Sequence, residues 1–99
     1  MNYEIAFYDE ALIDLRDAIL WYNSELEGLG QDLETQFYNA LPIIAKGPNH
    51  YQIRYLNCRV FWLKRFPYGI HYFVDNNLIV ITALVHSGRN PDTWHERLK

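Results

Sequence analysis

The sequence predicts an α+β fold in which a helical hairpin packs on one face of a small, mainly antiparallel sheet. Between residues 8 and 45, apolar residues recur every three or four positions, which is typical of amphipathic helices. Between residues 58 and 86, short runs rich in β-branched and aromatic residues alternate with turn residues, which is typical of strands. We expect residues 1–99 to form a single domain in the order β-α-α-β-β-β, with a short C-terminal helix.

The first strand and the first helix are adjacent in the sequence. Residues 3–7, YEIAF, have the alternating pattern of a short strand. Asp9 is the expected N-cap of the helix, because its carboxylate is able to accept hydrogen bonds from the first turn. Asp14 and Asp17 are expected in solvent because they fall off the apolar stripe of this helix. The stripe consists of Tyr8, Leu12, Leu15, Ile19, Tyr22 and Leu26.

The second helix follows a break at Gly28 and Gly30 and is expected to begin at about Gln31. Pro42 lies inside it and predicts a kink or an early end, because proline removes a backbone hydrogen bond and clashes with the preceding turn. Residues 46–49, KGPN, are expected to be a loop. The short connection between the helices predicts an antiparallel hairpin. The apolar stripe consists of Leu33, Phe37, Ala40 or Leu41, and Ile44.

Three strands are predicted in the second half, at residues 58–64, 70–74 and 78–86. The last of them is almost continuously apolar, so we expect it to be central and covered on both faces. Residues 75–77, DNN, are a hairpin turn signal. Residues 87–92 are expected to be a loop, followed by a last helix capped by Asp92 or Thr93. The sheet face away from the hairpin is left to be covered by something else.

Composition limits the class of protein. The single cysteine, Cys58, permits no internal disulfide, and the N-terminus lacks a signal-peptide pattern, so we expect a cytoplasmic protein. The longest apolar run, residues 78–85, is too short to span a bilayer, and no membrane association is expected. The formal net charge of -3 argues against a generic nucleic-acid binder. Charge is uneven, however, because residues 1–45 carry nine acids and one cation, whereas residues 46–99 carry eight cations and three acids.

The cations of the second half are the strongest candidates for binding. Strand alternation predicts Arg59 and Arg65 on one sheet face and Lys64 on the other. Arg89 follows the last strand, and Trp94 in the tail is a candidate hydrophobic anchor. Such a basic, aromatic surface suits phosphates and bases or an acidic protein segment. The alternative is that these cations only solvate strand ends.

Enzyme and metal motifs are missing from the sequence. No pair of cysteines or histidines has metal-ligand spacing, and no glycine-rich phosphate loop is present, so we expect no metal and no cofactor. His86 ends an apolar strand and reads first as a structural histidine, with a pH-active role as the alternative.

The ordered set of elements resembles the RelE/ParE toxin superfamily of bacterial type II toxin–antitoxin modules. The residues that carry the resemblance are GLG at 28–30, FPYGIHYFV at 66–74 and LIVITALVHSGRNPDTWHERL at 78–98. The resemblance implies a toxin of a plasmid-stabilisation module, neutralised in a hetero-oligomer by a cognate, ParD-like antitoxin. Such an antitoxin would be partly disordered and fold on binding.

Two branches of the superfamily differ in their target. RelE-like members are ribosome-dependent mRNA endonucleases, whereas ParE-like members inhibit DNA gyrase. The nuclease branch sets cations on the strand before the turn and an arginine beside the turn tyrosine, because cleavage develops charge on phosphate. Here those positions hold Val60, Trp62 and Gly69, which favours the ParE-like branch. Partner binding then falls to Arg59, Lys64, Arg65, Arg89 and Trp94.

Two alternatives remain open. In a RelE-like endonuclease, the candidate catalytic residues after a register shift are Arg65, His71, His86, Arg89 and His95. The other alternative is a degenerate, non-toxic module that only pairs with an antitoxin.

Overall fold

The computed structural model describes residues 2–89. Its elements are β1 (Glu4–Phe7), α1 (Asp9–Glu25), α2 (Leu29–Lys46), a short 3₁₀ helix (Pro48–His50), β2 (Ile53–Tyr55), β3 (Cys58–Trp62), β4 (Tyr68–Asp75) and β5 (Leu78–His86). They form an α+β fold with one five-stranded sheet in the order β1-β5-β4-β3-β2. β1 runs parallel to β5, and the other three pairings are antiparallel. The predicted fold class is therefore confirmed, whereas the predicted last helix lies outside the described residues.

β5 is an interior strand of the sheet, as its apolar sequence predicts. It pairs with β1 on one side and with β4 on the other. The residues from Ile79 to Val85 are all buried. A strand that is shielded on both faces has no need of alternating polar residues, which explains its continuous apolar run.

α1 packs on the core through most of its predicted stripe, because Leu15 is buried and Tyr8, Ile19 and Tyr22 pack against the core. Its buried residues are Ala11, Leu15 and Ala18, whereas Leu12 is 40% exposed and Leu26 is 64% exposed. The two alanines allow close approach to the sheet, a contact that a search for large apolar side chains overlooks. The predicted stripe of α1 is therefore wrong at Leu12 and Leu26.

The polar predictions for α1 also need correction. Tyr8, not Asp9, occupies the N-cap position, and it makes no side-chain capping bond. Asp14 is not simply solvated, because its Oδ2 accepts a hydrogen bond of 3.1 Å from the Leu84 backbone N–H. A side chain of α1 thus holds the backbone of β5.

α2 confirms its predicted stripe, because Leu33, Phe37, Ala40, Leu41 and Ile44 are all buried. The helix begins at Leu29, two residues before the predicted start, after Gly28 with φ of 90°. That left-handed conformation favours glycine and turns the chain between the two helices.

Pro42 does not end α2, so the predicted early end is wrong: the helix continues to Lys46. Pro42 lies on the exposed side of α2, where water is able to satisfy the backbone group that proline leaves unpaired.

The sheet edge differs from the prediction in two ways. β2 was not expected, because it has three residues at a half-exposed edge and little sequence pattern. β3 ends at Trp62, before the predicted end of its strand, so Lys64 and Arg65 lie in the following loop. The predicted placement of these two cations on opposite sheet faces is therefore wrong.

The main core lies between the helices and one sheet face. Phe37 from α2, Leu15 from α1 and Ile70 from β4 belong to one buried cluster. Tyr72 joins that cluster and donates a hydrogen bond of 2.7 Å to the Pro48 carbonyl. Within residues 2–89, no helix is long and apolar enough to cross a membrane.

Candidate functional site

A groove of about 260 Å³ lies between α1 and the carboxyl end of β5; we call it the α1–β5 groove. Its lining residues are Asp14, Asp17, Ala18, Trp21, Tyr68, Leu84, Val85, His86 and Arg89. The groove combines two carboxylates, two potential cations and two large aromatic rings. It is the concave feature that brings most of these chemistry-bearing side chains together.

The α1 wall of the groove is acidic and aromatic. The Asp14 carboxylate is committed to the Leu84 N–H, so it is fixed in position. Asp17 is 65% exposed and lies 3.5 Å from the exposed Arg16 guanidinium, a geometry in which an ion pair contributes little. Trp21 is 55% exposed and packs edge-on against Tyr22, with ring centroids 4.9 Å apart.

The sheet wall of the groove is built by a cross-strand pair, Tyr68 of β4 opposite His86 of β5. Their rings meet edge to face with centroids 5.2 Å apart. The His86 Nδ1 accepts a hydrogen bond of 2.9 Å from the Gly88 N–H, and the Arg89 N–H donates to the His86 carbonyl. These bonds shape the turn that places Arg89 at the rim.

The Tyr68 phenol in the sheet wall of the groove has a raised pKa. Burial raises the pKa of Tyr68 above its ordinary value, proximity to Tyr22 adds to this, and the Arg89 charge opposes it. Tyr68 is therefore a neutral phenol at physiological pH. In that form it is able to donate a hydrogen bond to an anion or a carbonyl.

The structure brings together only some of the predicted site residues. His86 and Arg89 share the α1–β5 groove. Arg65 instead forms a 3.5 Å ion pair with Asp32 of α2, and its guanidinium lies 5.4 Å from the Phe66 ring centroid. Lys64 is exposed beside it. Trp94 and His95 lie outside the described residues.

Arg59 has structural partners at the other end of the sheet. Its Nη1 donates to the carbonyls of Asn49 and Tyr51. The guanidinium thus ties the segment after α2 to β3.

His71 lies on the sheet face away from the helices and is 4% exposed. Its Nδ1 is 2.8 Å from the Tyr55 hydroxyl. Arg59, Arg65 and His71 therefore do not form one constellation with His86 and Arg89.

Gly69 lies under a tryptophan. A Cβ at this position would be 2.6 Å from Val60 Cγ1 and 3.1 Å from two ring carbons of Trp62. Both neighbours come from β3, where Trp62 is paired directly with Gly69. No side chain larger than hydrogen fits there unless β3 side chains move.

Sequence reasoning missed the α1 wall of the groove. Trp21 carried one signal: it is a large apolar residue that falls off the predicted stripe. Asp17 carried none, because an acid on a helix is ordinarily solvated. Among residues 2–89, no cluster of three metal-ligating side chains occurs.

Comparison with known proteins places this geometry in a recognised fold. No family model matches the chain, and no curated protein matches its sequence. A chromosomal ParDE TA system from P. aeruginosa contains a chain that is similar with a TM-score of 0.77 and 14% identity, covering 85% of this chain and 95% of that one.

Two E. coli structures are also similar. The intact RelBE toxin–antitoxin complex gives a TM-score of 0.67 at 18% identity, covering 88% of this chain and 99% of that chain. A mutant of the toxin RelE bound to an antitoxin RelBc peptide gives a TM-score of 0.67 at 18% identity, covering 100% of this chain and 97% of that chain. At these identities the likeness establishes the architecture. The chain has the fold of the RelE/ParE toxins.

Proposed function

We propose that this chain is the toxin of a type II toxin–antitoxin module and acts in the ParE-like manner, by binding DNA gyrase. A cognate, partly disordered antitoxin would neutralise it in a cytoplasmic hetero-oligomer, as in plasmid-stabilisation modules. Arg59, Lys64, Arg65, Arg89 and Trp94 remain the proposed partner-binding residues. Of these, Lys64, Arg65 and Arg89 are exposed within the described residues, as a contact residue needs to be.

We choose the ParE-like branch because Gly69 has no space for a side chain. An endonuclease of this fold needs an arginine beside the turn tyrosine and cations on the preceding strand. Here Val60 and Trp62 fill the space above Gly69, and Val60 is 8% exposed. This apolar cover offers nothing to stabilise a developing phosphate charge, which favours action by protein contact.

The structural neighbours support the module. All three occur in toxin–antitoxin structures, and the ParDE chain has the highest TM-score of the three, 0.77 against 0.67. The uneven charge of the chain supports a role in partner binding, because complementary surfaces speed and orient association.

A RelE-like endonuclease is the second candidate, and the α1–β5 groove is the observation that favours it. His86, Arg89 and Tyr68 lie together there, with a carboxylate from Asp14. An imidazole is suited to proton transfer, and a guanidinium to phosphate. Cleavage would use a 2′-hydroxyl as the nucleophile and would need these groups to move two protons.

Three measurements separate the candidates. Purified chain added to DNA gyrase is expected to inhibit supercoiling at micromolar concentration, and no inhibition would contradict the gyrase proposal. Primer extension on ribosome-bound message is expected to show no new ends; new ends that Arg89→Ala abolishes would establish the endonuclease instead. Normal growth after induction, with the folded chain present, would indicate a degenerate module.

The proposed contact charges have their own test. Lys64→Glu is expected to weaken gyrase inhibition, because it reverses an exposed charge in the loop after β3. Arg54→Glu is the matched control, since Arg54 is an exposed cation on the edge strand β2. Equal inhibition by both variants would remove Lys64 from the contact surface.

A further inference from the structure

We propose that β2 and the turn that follows it, residues 53–57, form a detachable edge of the sheet, which we call the β2 edge. Backbone strain at Leu56 favours its opening, and Tyr55 holds it closed. This inference is independent of the proposed function. β2 lies at the end of the sheet, next to β3. Because β2 occupies the edge of β3 in the closed form, any partner that pairs with that edge must bind the open form.

The attachment of β2 to the sheet is short and irregular. Ile53 lies opposite Arg59 and Tyr55 lies opposite Cys58, with an irregular register between the two pairs. Ile53 is 47% exposed, and Arg54 is also exposed. A segment that buries few apolar side chains opens locally, at a lower free energy than the global unfolding of the domain. The β2 edge meets this condition.

The turn between β2 and β3 contains a strained residue. Its central residues are Leu56 and Asn57, and Leu56 has a φ of 49°. This left-handed conformation is unfavourable for a bulky side chain, and such turns ordinarily have glycine, asparagine or aspartate there. Leu56 is 61% exposed, so packing of its side chain offsets little of the cost. Opening of the turn releases the strain, which favours the open form.

The turn between β4 and β5 provides an internal comparison. Its central residues are Asn76 and Asn77, and Asn76 has a φ of 55°. Asparagine tolerates the left-handed conformation because its short polar side chain forms local hydrogen bonds. Here the Asn76 Nδ2 donates to the Asp75 Oδ1 at 3.4 Å. The two hairpins therefore place the same backbone conformation on different residues, and only the β2–β3 turn places it on a bulky apolar one.

Tyr55 provides the contact that holds the β2 edge closed. Its hydroxyl is 2.8 Å from the Nδ1 of His71 in β4, and the two ring centroids are 5.6 Å apart. β3 lies between β2 and β4, so this contact reaches beyond the neighbouring strand. Tyr55 also packs against Ala83 and Val85 of β5. Removal of the hydroxyl is therefore expected to loosen the β2 edge without altering the turn.

Native-state hydrogen exchange of the intact chain, followed by NMR at several urea concentrations, tests the proposal. The amides that join β2 to β3 are expected to be about a hundredfold less protected than the slowest amides of β5. Their exchange is expected to depend only weakly on urea, because local opening exposes little surface. Leu56→Asn is expected to raise the protection of β2 about tenfold by relieving strain, and Tyr55→Phe to lower it about fivefold.

Asn76→Leu is the matched control, because it makes the reverse change in the other turn. It is expected to lower the protection of β5 about tenfold and to leave β2 unchanged, since the β4–β5 hairpin stays formed when β2 opens. Circular dichroism verifies that each variant is folded.

Three results would overturn the proposal. An equal loss of protection in β2 and β5 of Asn76→Leu would show that β2 opens only with the whole domain. A steep urea dependence of β2 exchange in the wild-type chain would show the same without any variant. Unchanged protection of β2 in Leu56→Asn or in Tyr55→Phe would show that the strain or the hydroxyl contact does not control the opening.

Discussion

Replacing Gly69 by alanine places a methyl group where β3 side chains already lie. The added Cβ would be 2.6 Å from Val60 Cγ1 and 3.1 Å from the Trp62 ring. Ordinary carbon–carbon contact is about 3.5–4.0 Å, so the valine must move by about 1 Å or the strands must separate. Val60 is 8% exposed and paired with His71 of β4, which leaves it little room to move.

Two opposing effects set the magnitude. Alanine is intrinsically better than glycine in a strand by about 0.5–1 kcal/mol, because glycine loses more backbone entropy on folding. Overpacking a tight site costs about 1–3 kcal/mol. The clash is the larger effect, so Gly69→Ala is expected to lower the free energy of unfolding by about 1–2 kcal/mol. For a domain of this size, that corresponds to a fall in melting temperature of about 4–16 °C.

Urea denaturation of four proteins measures the effect: wild type, Gly69→Ala, Val60→Ala and the double variant. Removing Val60 Cγ1 relieves the nearest contact, so the double variant is expected to be more stable than the sum of the single changes by about 1 kcal/mol. Gly47→Ala is the matched control, because its added Cβ would lie 3.6 Å from the nearest atom, His50 Cβ. If the stability losses of the two single variants simply add in the double variant, or if Gly69→Ala loses no stability, the inference that Val60 and Trp62 leave no space for a side chain at position 69 is refuted.

Three further predictions concern other parts of the core. Tyr72→Phe is expected to cost about 1 kcal/mol of unfolding free energy, because the Pro48 carbonyl loses its 2.7 Å hydrogen bond. Asp14→Ala is expected to cost about 1–3 kcal/mol by leaving the Leu84 N–H without its acceptor, and Asp14→Asn should recover part of this loss. Burial raises the pKa of Cys58, which is 0% exposed, so its thiol is expected to react with a disulfide reagent only after unfolding. Chemical denaturation tests the predictions for Tyr72 and Asp14, and absorbance during thiol labelling tests the prediction for Cys58.

The contribution of Tyr72 to stability is also expected to depend on pH. Burial raises the pKa of Tyr72 well above its ordinary value of 10.0. Above that pH the unfolded chain loses the phenol proton while the folded chain keeps it, so this contribution to stability is present below about pH 10 and is lost as pH rises further. Tyr72→Phe is expected to show a weaker fall in stability between pH 10 and 11 than wild type. Equal slopes would contradict the assignment.

The predictions for Asp14 and Cys58 would be contradicted by the following results. If Asp14→Ala and Asp14→Asn were both as stable as wild type, the carboxylate would not be holding β5. Labelling of Cys58 in the native chain as fast as in urea would show that the thiol is accessible.

Much of the fold was visible in local patterns. α2 buries Leu33, Phe37 and Ile44 at the predicted spacing, because an amphipathic helix packs its apolar stripe against the core. β5 was recognisable from its continuous apolar run. β2 escaped prediction, since three half-exposed residues owe their strand conformation to pairing with β3.

The residues of the α1–β5 groove were only partly predicted from the sequence. His86 and Arg89 were candidates by sequence, and the groove contains both. Asp17 and Trp21 were not, although they form its other wall. The groove-lining residues of α1 and β5 lie more than sixty positions apart in the chain, and no local pattern encodes that proximity.

The sequence by itself determined the order of elements, the apolar character of α2 and β5, and the glycine at position 69. Only the tertiary structure decided that Val60 and Trp62 close the space above that glycine, and that Arg59 and Arg65 serve separate ends of the molecule. The reason is physical: periodicity reports which side of one element avoids water, whereas the neighbours of a side chain depend on how separate elements pack together.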